Sequence, residues 1–227
     1  MVLANVRARL GATDLRFVVL ALSRRDRSRR ARYEAVLSAE GPDSLLDEPD
    51  LLEALRTLRS LAAPSAPLFA YVAVRHILRQ VGVDDRELSD YLAALLLEFG
   101  DHDRHRRIGA GDDQTYRYLV DIASDVEQAD ETGTRGFLLR VHLGNYSLWL
   151  AGLFPDRVAS SLRYYDALGR QGFALAASHP MAGRYGLADL YREVADRFPV
   201  LRHAFNRLSD RVFFPEIRTP DKLLRAM

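Results

Sequence analysis

Apolar residues recur three and four positions apart along nearly the whole chain, and no stretch alternates strictly enough to read as a strand. That spacing predicts an all-α protein: a single multi-helix, bundle-like domain over residues 1–227. Leu15, Val18, Val19 and Leu22 open a first helix, expected to run on through "SRRDRSRRARYEAVLSAE" to Gly41, with "EGPDSLLDEP" as the break. Asp50 then caps a helix carrying Leu51, Leu55 and Leu58, which ends in the proline-bounded "LAAPSAP". Pro67 suits the first turn of "PLFAYVAVRHILRQ", and Gly82 its left-handed stop. Asp84 and Glu87 have capping-box spacing for "RELSDYLAALLLEF", whose inward face is Leu88, Tyr91, Leu92, Leu95 and Phe99, with Gly100 behind it.

Periodicity fails in "GDHDRHRRIGAGDDQ", the place where residues 1–100 would separate from 114–214 if the domain subdivides. A helix is expected from Gln114 to about Gln128, then the turn "ADETGT", then a helix from Arg135 to Leu153 stopped by Pro155. Asp156 is the expected cap of "RVASSLRYYDALGRQGFALAAS", and His179-Pro180 interrupts the pattern. Leu187, Leu190, Tyr191, Val194 and Phe198 form one amphipathic stripe. Leu201, Ala204, Phe205, Leu208 and Val212 form another behind Pro199, and the tail after Pro215 is read as frayed.

From Val141 to Phe154 there is no charged side chain, so the helix around 135–153 should be surrounded by others. Gly144, Ser147 and Ala151 give it a face of small residues, matched by Gly169 and Gly172 on the next helix. Glycine costs about 1 kcal/mol relative to alanine inside a helix, so close backbone approach is the expected reason. His142, Asn145, Tyr146 and Trp149 share one stripe of that helix. Buried polar groups must be hydrogen-bonded, and Tyr164, Tyr165 and Asp166 are the partners nearest in sequence. These residues form the candidate ligand-binding set: His142, Asn145, Tyr146, Trp149, Tyr164 and Tyr165. Read structurally, the same set is a satisfied buried network; read functionally, it lines a small-molecule pocket.

"HLGNYSLWLAGLF", followed by "YYDALGRQGFALAA" and "LADLYREVADRFPVLRHAFNRLSDRVFF", resembles a group of uncharacterised bacterial helical proteins. Their pattern is near H-x-G-[DN]-Y-x-L-[FW]-x-x-G-x-F, then a Tyr-Tyr pair and a closing helix. The likeness covers residues 70 to 214, and His142, Gly144, Asn145, Tyr146, Leu148, Trp149, Gly152, Phe154, Tyr164 and Tyr165 fall on it. It implies a helical fold and a focus on this stripe, and carries no reaction with it. Asn145 stands where aspartate is often found, which argues against acid–base or metal chemistry there.

Composition narrows the chemistry. Lys and Arg number 32 against 31 Asp and Glu, so no global field draws in nucleic acid or an anionic membrane. There is no cysteine, which removes thiolate catalysis and Cys-bound metals and suits the cytoplasm. The N-terminal apolar run Phe17–Leu22 is too short for a membrane span. "DHDRHRR" could seed a metal site through His102 and His105 or, with His76 and Asp121, an HD-type phosphohydrolase set. The apolar helix that should end in His-Asp carries Leu97 and Glu98 instead, so that pattern is broken and the two histidines read as a solvated loop. No histidine has an acidic residue three positions before it, which excludes a di-iron bundle.

Asp121 and Asp125 lie one turn apart, with Arg117 placed to pair with Asp121. Neither a G-x-S-x-G elbow nor a P-loop is present. Arg24, Arg25, Arg27, Arg29, Arg30 and Arg32 could meet phosphates, but Lys222 is the single lysine, which points to a bias towards Arg codons, and Asp26, Arg30 and Glu34 have pairing spacing. The expected protein is therefore a metal-free, cofactor-free helical binding or interaction protein, with a homodimer and a small-molecule ligand left open as partners. Nucleic acid and membrane are not expected. A sensor or enzyme with its pocket at His142 is the alternative.

Overall fold

Asp26 decides the first feature of the fold. Its carboxylate accepts from the backbone N–H of Ser28 at 2.8 Å and of Arg29 at 3.0 Å, the geometry of an N-cap, while Arg24 takes the left-handed conformation at φ 47°. The single helix expected from Leu15 to Gly41 is therefore two, α1 (Ala12–Ser23) and α2 (Arg27–Glu40), folded against each other. The computed structural model describes residues 1–24, 26–58, 63–109 and 114–215, the side chains of 102 and 103 excepted. Arg25, residues 59–62 with the first two of "LAAPSAP", the "AGDD" of the charged loop and the expected frayed tail lie outside them. Among the described residues every regular element is helical, so the fold is all-α.

The chain divides into two compact units, one of residues 3–97 and one of residues 98–227 with residues 1 and 2. In the first, the expected break after Gly41 holds a short helix, α3 (Pro42–Leu46), because Pro42 is pre-set for a first helical position. Next come α4 (Leu51–Thr57), α5 (Ala66–Gln80) and α6 (Arg86–Gly100). Asp50 precedes α4 without a side-chain cap bond, and Leu58 lies just past its end. Ser65 caps α5 by accepting from Leu68 N–H at 3.2 Å, and Gly82, at φ 81°, closes it.

The cap of α6 lies one residue later than expected and is a simple N-cap rather than a capping box. Asp85 accepts from Leu88 N–H at 2.7 Å, while Asp84 turns to Arg75. Arg75 is 1% exposed and is the centre of an ion network. Its Nε and Nη2 donate to the two oxygens of Asp47 at 2.8 and 3.1 Å, Asp84 accepts from Nη2, and Arg86 reaches Asp47 at 2.7 Å. Burial pushes the Asp47 carboxyl up, but these guanidinium bonds win and hold it at about 2.

In the second unit α7 (Leu119–Gln128), α8 (Thr134–Leu153), α9 (Pro155–Val158), α10 (Leu162–Ala177), α11 (Pro180–Arg184), α12 (Ala188–Asp196) and α13 (Phe198–Leu208) follow. The helix expected from Gln114 starts five residues late. Residues 114–118 are irregular instead: Tyr116 N–H bonds Arg106 C=O at 2.7 Å, and Asp125 accepts from Gln114 at 2.9 Å and from the Tyr116 hydroxyl at 2.6 Å. Arg117 therefore lies outside the helix and forms no ion pair with Asp121 among the described residues. Asp156 sits inside α9 rather than capping α10, whose N-cap is Ser161.

The expectation of a central apolar helix holds within this unit. α8 buries 16 of its 20 residues and packs against α7, α9, α10 and α13. A Cβ on Gly172 would come within 2.7 Å of Gly144 N and 2.9 Å of Arg140 O, so the two backbones touch there. Gly172→Ala should force α10 off α8 and cost about 1–3 kcal/mol, read as a lower urea midpoint. An unchanged midpoint would refute the close approach as the reason for this glycine.

The C-terminal carbonyls of α8, left without helical partners, are met from α13 and the turn after it. Asn206 donates to Ala151 O and Gly152 O at 2.9 and 2.7 Å, and Ser209 to Leu153 O at 2.7 Å.

Candidate functional site

One face of α8 carries the candidate stripe inward: His142 is 3% exposed, Asn145 2%, Tyr146 5% and Trp149 9%. Rings from outside the helix close over it. Phe99, at the end of α6, lies 5.7 Å from His142 and 6.1 Å from Trp149 between ring centres; Tyr116 lies 6.1 Å from His142. His105, expected in a solvated loop, instead stacks on Trp149 at 4.5 Å and faces Tyr146 at 6.3 Å. A short 3-10 turn over His102–Arg106 turns it inward despite its charged neighbours. The side chain of His102 lies outside the described residues.

The structure thus brings together His142, Tyr146 and Trp149, adds Phe99, His105 and Tyr116, and sets Asn145 on the wall of the same small cavity. The Tyr146 hydroxyl donates to Arg117 C=O at 3.2 Å. Burial first, and then Tyr165, raise the Tyr146 pKa, so Tyr165 lies close to the cluster. Tyr164 does not join it: the residue is 44% exposed, and its ring meets Tyr165 edge-on at 6.2 Å. Asp166, an expected partner for the buried polar groups, is taken by Arg202 at 2.8 Å.

His142 decides what the cluster can do. Its Nε2 has no hydrogen-bond partner among the described residues, and burial first, then the Arg104 charge, drive its pKa down to about 3. The imidazole is therefore neutral across the physiological range. The cavity beside it, walled by Met1, Val2, Phe99, Arg104, Ile108 and Asn145 among others, measures about 10 Å³. That is room for one water at most, too little for a metabolite. Among the described residues no three His, Asp or Glu converge as a metal site would need.

A larger concavity among the described residues of this unit lies at the N-terminal end of α8. An open cleft of about 450 Å³ is lined by Gln114, Asp125, Gln128, Asp130, Arg135 and neighbouring backbone. Arg135 donates to the Gln114 amide oxygen at 2.6 Å and to the Tyr116 hydroxyl at 3.3 Å, and Asp125 closes the network. Sequence reasoning singled out Asp125 for its spacing to Asp121, but not Gln114 or Arg135.

No protein-family model, no curated protein and no solved structure matches this chain. Among the described residues no helix is long and apolar enough to cross a membrane.

Proposed function

We propose that the protein is a non-enzymatic helical binding protein that meets its partners through its surface. The observation carrying this reading is the small space beside His142, about 10 Å³: the residues richest in chemistry are packed as core, and burial makes the His142 imidazole a weak base with no room beside it for a substrate. A general base must approach the proton it takes to within hydrogen-bonding distance, which this enclosure forbids.

Native mass spectrometry of the purified chain tests the reading. The expected spectrum is the bare polypeptide or a whole multiple of it. A stoichiometric small molecule that is lost on His142→Leu would overturn it. A second reading, a small polar ligand at the α8 cleft, is favoured by the cleft's volume of about 450 Å³ and by Asp125 and Arg135, side chains of opposite charge, on its walls. It predicts a co-purifying molecule that survives His142→Leu and is lost on Arg135→Ala.

A further inference from the structure

α2 is the least buried long helix of the described chain, with Tyr33 its one buried residue. Between it and α1 runs a groove of about 250 Å³, lined by Arg16, Val19, Leu20, Arg30, Glu34 and Leu37. Its floor and walls are largely aliphatic, and Leu20 is left 42% exposed beside it. A leucine on the open side of a helix hairpin is ordinary; a recessed apolar channel is less so. The sequence that enters α2 is rich in charge. Residues 23–32, "SRRDRSRRAR", hold six arginines and one aspartate in a chain whose net charge is +1.

Pairing inside the protein consumes little of this charge. Arg30 is bound to Glu34 at 2.8 Å, Arg24 lies 3.8 Å from Asp50, and Asp26 is spent capping α2. Arg16, Arg27, Arg29 and Arg32 form no ion pair among the described residues. On a helical period Arg27 and Arg30 share the groove side of α2 with Glu34 and Leu37, and Arg16 stands on the opposite wall. The channel is thus apolar along its length, with Arg16 on one wall, Arg27 near the end of the other, and the Arg30–Glu34 pair between them.

We propose that this groove docks an acidic amphipathic helix from a partner protein, an apolar ridge seated between α1 and α2 with carboxylates on its flanks meeting the arginines. The inference rests on the reading of the protein as a surface-binding module. Shape selects this occupant over the other anionic surfaces. A bilayer is flat and cannot fill a recess between two helices, whereas helix ridges pack into helix grooves. Nucleic acid would use the arginines but leave the aliphatic channel empty, and Tyr33, the aromatic ring of α2, is buried and offers no base a stacking face.

The test is a selection from a phage-displayed library of random 16-residue peptides against the immobilised full chain. The expected result is enrichment of sequences with apolar residues at i, i+3, i+4 and i+7 flanked by Asp and Glu. Synthetic copies should bind the wild type and lose at least about tenfold on Leu20→Glu, with circular dichroism and melting temperature unchanged. A scrambled peptide of the same charge should bind at least about tenfold more weakly, and Arg16→Glu should prefer a Lys-flanked version of the selected peptide.

Failure to enrich any peptide, enrichment of basic ones, or indifference to Leu20→Glu would overturn the proposal. So would phosphatidylserine vesicles or duplex DNA binding the wild type and Leu20→Glu alike while the selected peptide fails to compete. Each of these outcomes leaves the mass-spectrometric test of the His142 cluster untouched, so failure of the groove and failure of the wider reading are told apart.

Discussion

Arg75→Met should lower unfolding free energy by about 3–5 kcal/mol, seen as a large drop in urea midpoint with an unchanged slope. The side chain is 2% exposed and neutralises Asp47 and Asp84 together, so removing it leaves the Asp47 carboxylate, 16% exposed, with Arg86 as its remaining side-chain ion pair. The loss reflects a stranded charge rather than a strong bond, since an ion pair replaced on both sides by apolar groups can be neutral. The network also has an acid limit. Asp47 is held near pH 2 in the fold against an unfolded value near 3.9, so its contribution is full above about pH 4 and disappears as pH falls towards 2. A loss under about 1 kcal/mol for Arg75→Met would show that water reaches the network and screens it.

His142→Ala should cost about 2–4 kcal/mol, because it opens a cavity where Phe99, Tyr116 and Tyr146 now meet the imidazole. His142→Leu should cost less than about 1 kcal/mol at pH 7. It keeps most of the volume and removes an Nε2 that has no partner to lose. The leucine variant should also change the pH dependence. With a folded pKa near 3 and an unfolded one near 6.5, the buried ring stays neutral while the unfolded chain takes up a proton, so stability is full above pH 6.5 and falls below it. The slope is about 1.4 kcal/mol per pH unit, or about 2 kcal/mol between pH 7 and 5. His76 and His179 are shifted down as well and act in the same direction, so the difference between wild type and His142→Leu isolates this residue. Parallel stability curves for the two proteins would mean that His142 titrates as an exposed histidine and that the cluster is open.

How far each element could be read depended on what held it. The uncharged run from Val141 to Phe154 has no stable place except among other helices, and α8 is buried on nearly all sides. Gly172 marks a backbone-to-backbone contact with α8, and Gly144 leaves room for the Phe173 ring. The stripes of α12 and α13 went inward as their period requires, with Leu190, Tyr191, Val194, Leu201 and Phe205 all buried. Boundaries were less legible. Gly41 ends α2 as expected, but Asp26 caps that helix inside what read as one, and Asp85 caps α6 where Asp84 was expected to, because a lone carboxylate beside a helical pattern reads equally as surface charge until the backbone N–H groups are in place.

Long-range pairing is where local pattern carries no information. Nothing adjacent to Arg75 in sequence marks it as buried; Asp47, 28 residues away, makes burial tolerable. His105 sits among arginines and still stacks on Trp149, since a helical turn fixes which side chain of a charged run faces the core. Periodicity and the absence of charge thus determined, from the chain alone, that the protein is all-helical and that the His142 face of α8 is internal. Whether that face encloses a ligand space or one water's worth of room, and which carboxylate neutralises which guanidinium, were decided by tertiary packing, because both depend on atoms brought together from distant parts of the chain.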